Sequence, residues 1–442
     1  MISHPYLQKV LTMKVLACSI KFCLLCVFVF GLGACTDSSR ESSDPVITPS
    51  GGDTSSTNND DGGDSDEFST AEMLTNIADA IIIPTYEELV TQTELLASSD
   101  GDLSSYCSAI GSPEESSKEA LAKDSWKTSM SVVQASEMLA IGPATDNGSS
   151  FRKKILSYSE GSLNSCGVDE MAVLAGRAEL DVSERATNQR GLGGIEYLLF
   201  NESLDHTCPP QAATTSNWNA LDDTTRRQNR CNAALAIAED VAAAAVQLRD
   251  AWLETGGDFR SEYISESNVG NSLQMTTDAI FYVDTGVKDK KLGIPLGIND
   301  ACSAFSCPGS VESPYSESSF ANIKNNVETF LEVFQGASGV GFDDLISEEG
   351  YPEVSERIIT NSEAVIAALE GVSTSVIDQV NSISDSEDES QCNNAFANPD
   401  NLDSLSACSI YGLIKRITDD LKIDFVTIVN VNLPSGAQSD ND

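Results

Sequence analysis

The chain has 442 residues, with 68 Asp and Glu against 26 Lys and Arg and a formal net charge of −42 at pH 7. So acidic a composition cannot supply the basic surface that phosphate backbones require, which excludes a nucleic-acid role. Only His4 and His206 are present, too few for a zinc site of two or three His ligands once His4 is lost with the leader described next, whereas 40% hydrophobic residues suffice for a substantial core.

Residues 1–34 carry Lys9, Lys14 and Lys21 and no acid, then the apolar run Phe22 to Phe30, then Leu32-Gly33-Ala34-Cys35. A basic start, a short apolar run and small residues before a cut form a secretory signal, and the run is too short to span a bilayer. Its end resembles the bacterial lipobox. That resemblance makes Cys35 the lipidated first residue of the exported chain, with the membrane as partner through the anchor. Thr36 in place of an Asp points to the outer membrane, facing the periplasm or the exterior. Residues 35–69 follow as a tether: between Thr36 and Glu67 the only large apolar residues are Val46 and Ile47, beside nine acids, so no burial offsets the entropy of ordering it.

Beyond the anchor eight cysteines remain, Cys107, Cys166, Cys208, Cys231, Cys302, Cys307, Cys392 and Cys408. An even number in an exported chain predicts disulfides. Local closure favours Cys208 with Cys231, Cys302 with Cys307 and Cys392 with Cys408, which leaves Cys107 with Cys166, each pair stapling a loop-like stretch.

From residue 70 onward the apolar spacing is helical. Ala122, Trp126, Met130 and Val133 form one stripe, Ile237, Val241, Ala245, Leu248 and Trp252 a second, Phe320, Ile323, Val327, Phe330 and Phe334 a third, and Ile410, Ile414, Ile417, Leu421, Phe425 and Ile428 a fourth. Alternating strand patterns are nearly absent, so the chain is predicted to be all-α and built of helical bundles. Breakers concentrate in residues 201–225 and 285–318, and the second stretch is long enough to join two domains. The predicted organisation is an N-terminal bundle over 70–284, a connector over 285–317, a C-terminal bundle over 318–434 and a tail over 435–442. Residues 381–405 read as a charged insertion.

The segment Arg190-Gly191-Leu192-Gly193-Gly194-Ile195-Glu196-Tyr197-Leu198-Leu199-Phe200 resembles the signature of the imelysin family of exported bacterial proteins, first described as insulin-cleaving peptidases and also found as iron-regulated proteins. Further stretches match in order: Ile83-Pro84-Thr85-Tyr86, Trp126 with Gly142-Pro143, Lys291-Leu292-Gly293-Ile294-Pro295-Leu296-Gly297, and Ser313-Pro314-Tyr315-Ser316. The resemblance implies two helical-bundle domains with a site near their junction. It also implies, in one branch, a Gly-x-His-x-x-Glu motif. Gly191 and Glu196 keep that pattern, but Gly193 stands where the His would be, and the form is closer to the branch reading Gly-Leu-Pro-x-x-Glu-Tyr-Leu-Leu-Phe.

Glu196 lies among apolar residues, where a carboxylate costs several kcal/mol unless it is paired or ligates a cation. It is therefore either a hub for backbone N–H groups or an Arg such as Arg190, or a ligand or recognition group. The candidate ligand-binding or metal residues are Glu196, Tyr197, Gly191, Gly193, Tyr86 and Ser316, with no catalytic residue assigned. Gly191, Gly193 and Gly194 serve close packing or a turn rather than a phosphate loop. His206, beside Asp205 and Cys208, is a surface-loop imidazole. Oxygen donors suit hard cations. The resemblance makes iron, or another divalent or trivalent cation, the expected ligand, and an iron-uptake receptor or transporter the expected partner. The predicted function is an envelope lipoprotein that binds rather than cleaves. The alternatives are a metallopeptidase of the family and an adhesion or assembly protein without a small ligand.

Overall fold

The computed structural model describes residues 68–402 and 405–438, so the predicted signal, Cys35, nearly all of the tether and the end of the tail lie outside the described residues. The described residues contain no strand and are helical wherever the apolar period is clear. The first helix, Thr70–Asn76, is capped by Ser69, whose hydroxyl accepts the Glu72 N–H. It runs through a π-turn at Ile77–Ile82 into α1 (Ile83–Ala97). The turn widens just ahead of Pro84, which has no N–H to return to the preceding turn, so the helix absorbs the proline as a bulge.

In α2 (Glu115–Glu137) the stripe Ala122, Trp126, Met130 and Val133 is buried, and the Trp126 indole N–H donates to the Leu192 carbonyl at 3.0 Å. α3 (Asp146–Ile155), α4 (Ser165–Gly176) and α5 (Gly191–Phe200) follow. α6 (Asp223–Trp252) is 30 residues and, by length and composition alone, apolar enough to cross a membrane. Here it is the core helix of the first bundle: Ala233, Ala234, Ala238, Ala244 and Ala245 are buried where α1, α4 and α5 pack on it. An alanine face lets three helix axes approach one rod closely.

The helix Val269–Ile280 passes into an 11-residue π-helix, Val283–Gly293, within the stretch expected as connector. Beyond it lie α7 (Ser319–Phe334), α8 (Pro352–Glu370) and α9 (Ser406–Asp420), which pack as a second bundle. α7 also packs back on α2, and the π-helix packs on both α7 and α9. This three-way joint of α2, α7 and the π-helix carries the buried polar groups described below. The charged stretch near residue 385 is helical too: Asp385 caps Ser386–Ala397 by accepting the Glu387 and Asp388 N–H groups at 2.8 and 3.1 Å, and the acids behind it occupy a helix N-terminus, where negative charge is favourable.

Two disulfides are those that local closure favours, Cys302–Cys307 and Cys392–Cys408. The other two correct the expectation. Cys107 pairs with Cys231 across 124 residues, and Cys166 pairs with Cys208. Cys107 and Cys231 lie on helices that pack against each other, so bundle packing rather than local closure chose that pair, and Cys392 and Cys408, though close in sequence, lie on helices rather than in a loop. Non-reducing digestion should therefore release a linked peptide pair carrying Cys107 and Cys231. The corresponding double Ser variant should lose stability, by about 4–5 kcal/mol on a chain-entropy basis. A linked Cys208–Cys231 peptide would contradict this topology.

Candidate functional site

Glu196 sits on α5 with no exposed surface, and its carboxylate is held entirely by neutral donors. Oε1 accepts the Tyr315 N–H at 3.0 Å, the Ser316 N–H at 2.8 Å and the Ser316 hydroxyl at 2.9 Å; Oε2 accepts the Tyr158 hydroxyl at 3.0 Å. The two N–H groups converge because the backbone turns sharply on either side, with Ser313 at φ 52° and Glu317 at φ 56°. One side chain thereby ties α5 to the segment leading into α7. Arg190 is not its partner: its guanidinium donates to the Val182 carbonyl at 2.9 Å and contacts Asp240 at 3.3 Å.

The glycines ahead of Glu196 make room for this arrangement. Gly191 has φ +70°, and a Cβ there would lie 2.8 Å from the Ile155 carbonyl oxygen. At Gly193 a Cβ would lie 2.3 Å from Ser157 Oγ and 2.7 Å from Tyr158 Cε2. The volume next to the motif is therefore filled by Ser157 and Tyr158. The Tyr158 phenol is held well above its ordinary range by burial and then by the Glu196 charge, so it stays protonated and donates.

The structure brings Glu196 and Ser316 into contact and places Gly191 and Gly193 under the same wall. Tyr197 points the other way: its hydroxyl bonds to Asp169 at 3.0 and 3.1 Å, while its ring meets Tyr315 edge-on at 5.1 Å. Tyr86 is buried separately, donating to the Leu139 carbonyl at 2.6 Å. His206 lies in the loop after α5, its N–H 3.4 Å from Asn219 Oδ1.

Tyr158 is also the wall of a cleft, and Glu196 lies behind it. The cleft has two lobes, of about 280 and 180 Å³, that share Tyr158, Lys290, Lys291 and Glu312. In the larger lobe Glu137, 1% exposed, accepts Arg152 Nε at 3.0 Å and Nη2 at 2.8 Å in a two-pronged pair, and also the Ser159 hydroxyl at 3.0 Å. On the other side Lys291 donates to Gln134 and to Asn326 Oδ1 at 2.7 Å and lies 3.2 Å from Glu312. Glu312 further accepts the amides of Gln134 and Asn322, both at 2.8 Å. These contacts join α2, the π-helix and α7 through satisfied polar groups, the condition under which a buried network is stable.

Sequence reasoning did not find Tyr158, Glu137, Arg152, Lys291 or Glu312 as site residues. For Glu137 a signal exists. It falls four residues after Val133, on the same stripe as Trp126 and Met130, and an acid on an apolar stripe calls for a partner. Nothing local marks Tyr158, because its role depends on a missing side chain 35 positions later.

Among the described residues no group of three or more His, Cys, Asp and Glu side chains is gathered so as to hold a metal ion. Glu196 has four donors on its two oxygens, so the residues present do not fit a resident metal at that carboxylate.

The family model for imelysin, a peptidase family, matches residues 82–405. No curated protein matches the chain. An imelysin-like protein from Psychrobacter arcticum 273-4 superposes with a TM-score of 0.58 and 16% identity, over 83% of this chain and 98% of that one. A protein provisionally described as an iron-regulated protein A precursor, from Parabacteroides distasonis ATCC 8503, superposes with a TM-score of 0.54 and 15% identity, over 81% and 97%. Identities this low establish a shared fold.

Burial pushes Glu196 up to about 7, outweighing the bonds from Ser316, Tyr158 and Tyr315 that favour the carboxylate. From about pH 4.5 to 7 the folded chain therefore keeps a proton that the unfolded chain has released, so this group's contribution to stability falls as pH rises through that window and is level above it. The loss is on the order of 3 kcal/mol. A Gln at 196 retains an acceptor for Tyr315 and Ser316 and offers its amide to the Tyr158 oxygen, so Glu196→Gln should fold and lack this slope. Denaturant melts of both proteins from pH 4.5 to 8 test it; an unchanged slope in Glu196→Gln would contradict the assignment.

Proposed function

The chain belongs to the imelysin family, and from that premise we propose that it is an exported, lipid-anchored binding protein linked to iron acquisition, not a peptidase. The observation that carries this reading is the state of Glu196. The acid that a peptidase would need for metal or water is fully buried, occupied by four hydrogen-bond donors and shielded from the cleft by Tyr158. Gly193 offers no imidazole, and His206 lies in a separate loop. A hydrolytic zinc centre needs protein ligands around an open position, and this chain supplies them nowhere among the described residues.

The link to iron rests on the family and on the name of the Parabacteroides distasonis protein. In this reading iron is cargo rather than a resident cofactor, and a receptor or transporter in the envelope receives it. Cys35 tethers the folded region through the acidic segment that follows it.

The full-length protein, expressed with its own leader and purified without chelators, tests the proposal. It should fractionate with membranes, whereas Cys35→Ala should be released. It should carry well below one zinc per chain, leave insulin intact, and gain thermal stability when ferric iron is supplied as a soluble chelate. Stoichiometric zinc with chelator-sensitive cleavage that is lost in Glu196→Gln would establish the peptidase instead. The absence of any iron-dependent shift would leave the adhesion or assembly role.

A further inference from the structure

The charges around the cleft are the reverse of those of the chain. Acids outnumber bases 68 to 26 in the sequence, yet among the described residues the larger lobe is lined by Arg152, Lys153, Lys290 and Lys291 against Glu137 and Glu312. Each acid is already committed, Glu137 to Arg152 and Glu312 to Lys291, and Lys153 has a partner of its own, so the charge left to a ligand is that of Lys290 and the outer edge of Arg152. Lys290 lies exposed at the rim and lines both lobes, while Arg152 spends Nε and Nη2 on Glu137 and keeps Nη1 for another acceptor.

We infer that this cleft is the binding site for a small multivalent oxyanion, one bearing carboxylate or phosphate groups. The inference rests on the proposed binding role and names its ligand class. A concave site with a surplus of positive charge in an otherwise negative molecule focuses its field on an anion, which the remaining surface repels. Arg152 is suited to it because a guanidinium fixed on one edge by Glu137 presents its other edge without further loss of side-chain entropy. Tyr282 adds a hydroxyl 3.5 Å from Glu137, a contact too long to hold it against a better acceptor. A lobe of about 280 Å³ is at the small end of ligand pockets, with room for a compact anion and not for a folded peptide.

Isothermal titration of the chelator-free protein at low ionic strength, with citrate and with pyrophosphate as probes, tests this. At least one should bind with an affinity that falls as salt is added, and the preferred probe identifies the source of the oxyanion. Lys290→Glu should weaken it at least about tenfold, since reversing a rim charge costs about one decade. Lys127→Glu, the same net change at an exposed residue on α2, should not alter it. Failure of both probes to bind, or equal affinity in the two variants, would overturn the inference. A protein that takes up chelated iron yet binds neither probe would keep the binding role and still refute the oxyanion site.

Discussion

A carboxylate withdrawn from water must find a cation or enough donors to replace its hydration, and Glu196 finds donors. Two backbone N–H groups, a serine hydroxyl and a phenol surround it, and no cation is among its hydrogen-bond partners. Three of the four come from residues 315 and 316, more than a hundred positions away, so one side chain fixes how the segment entering α7 lies on the first bundle. The positive φ values at Ser313 and Glu317 persist because that carboxylate collects the N–H groups they present.

The cleft follows from the same constraint. Tyr158 reaches Glu196 only because Gly193 leaves it the space, and once there its ring separates the carboxylate from the cavity. The wall behind the ligand space is thus a neutral phenol, and the charges facing the space come from α3, the π-helix, α2 and Glu312 in the segment before α7. α3 opens with three left-handed residues, Asn147, Gly148 and Ser149, at φ 50°, 67° and 62°. Left-handed backbone costs a non-glycine residue roughly 1–2 kcal/mol, so strain is stored in the turn that delivers Arg152 to Glu137. Across the cavity the wide turns of the π-helix set Lys290 and Lys291 side by side, with Lys291 drawn into the joint and Lys290 left at the rim.

Much of this could be read from the residues. The stripes through Trp126, Trp252, Phe330 and Ile414 are apolar at helical spacing and are buried as that spacing requires, except at the ends Phe320 and Ile428, which are half-buried. The Gly-rich motif marks both a tight approach and a buried acid, because small residues let neighbouring segments close in and a carboxylate inside an apolar run is carried into the core with it. What stayed hidden depends on tertiary arrangement. Cys107 and Cys231 are joined because two helices pack side by side, which no rule of local closure contains. Tyr158 answers a vacancy at Gly193, and a vacancy has no pattern in sequence. The basic cleft was masked by the composition itself: four cations matter only once they are known to share a cavity while most acids lie elsewhere.

Glu196 holds the Tyr315–Ser316 turn in place and so shapes the cleft. Amide hydrogen exchange at these two residues reads that contact, because neither N–H belongs to a helix ladder and Glu196 is the acceptor of both. Both amides should be strongly protected in the native protein and lose that protection in Glu196→Ala while the α6 amides stay protected. Equal exchange at Tyr315 and Ser316 in the two proteins would show that something other than this carboxylate holds the turn.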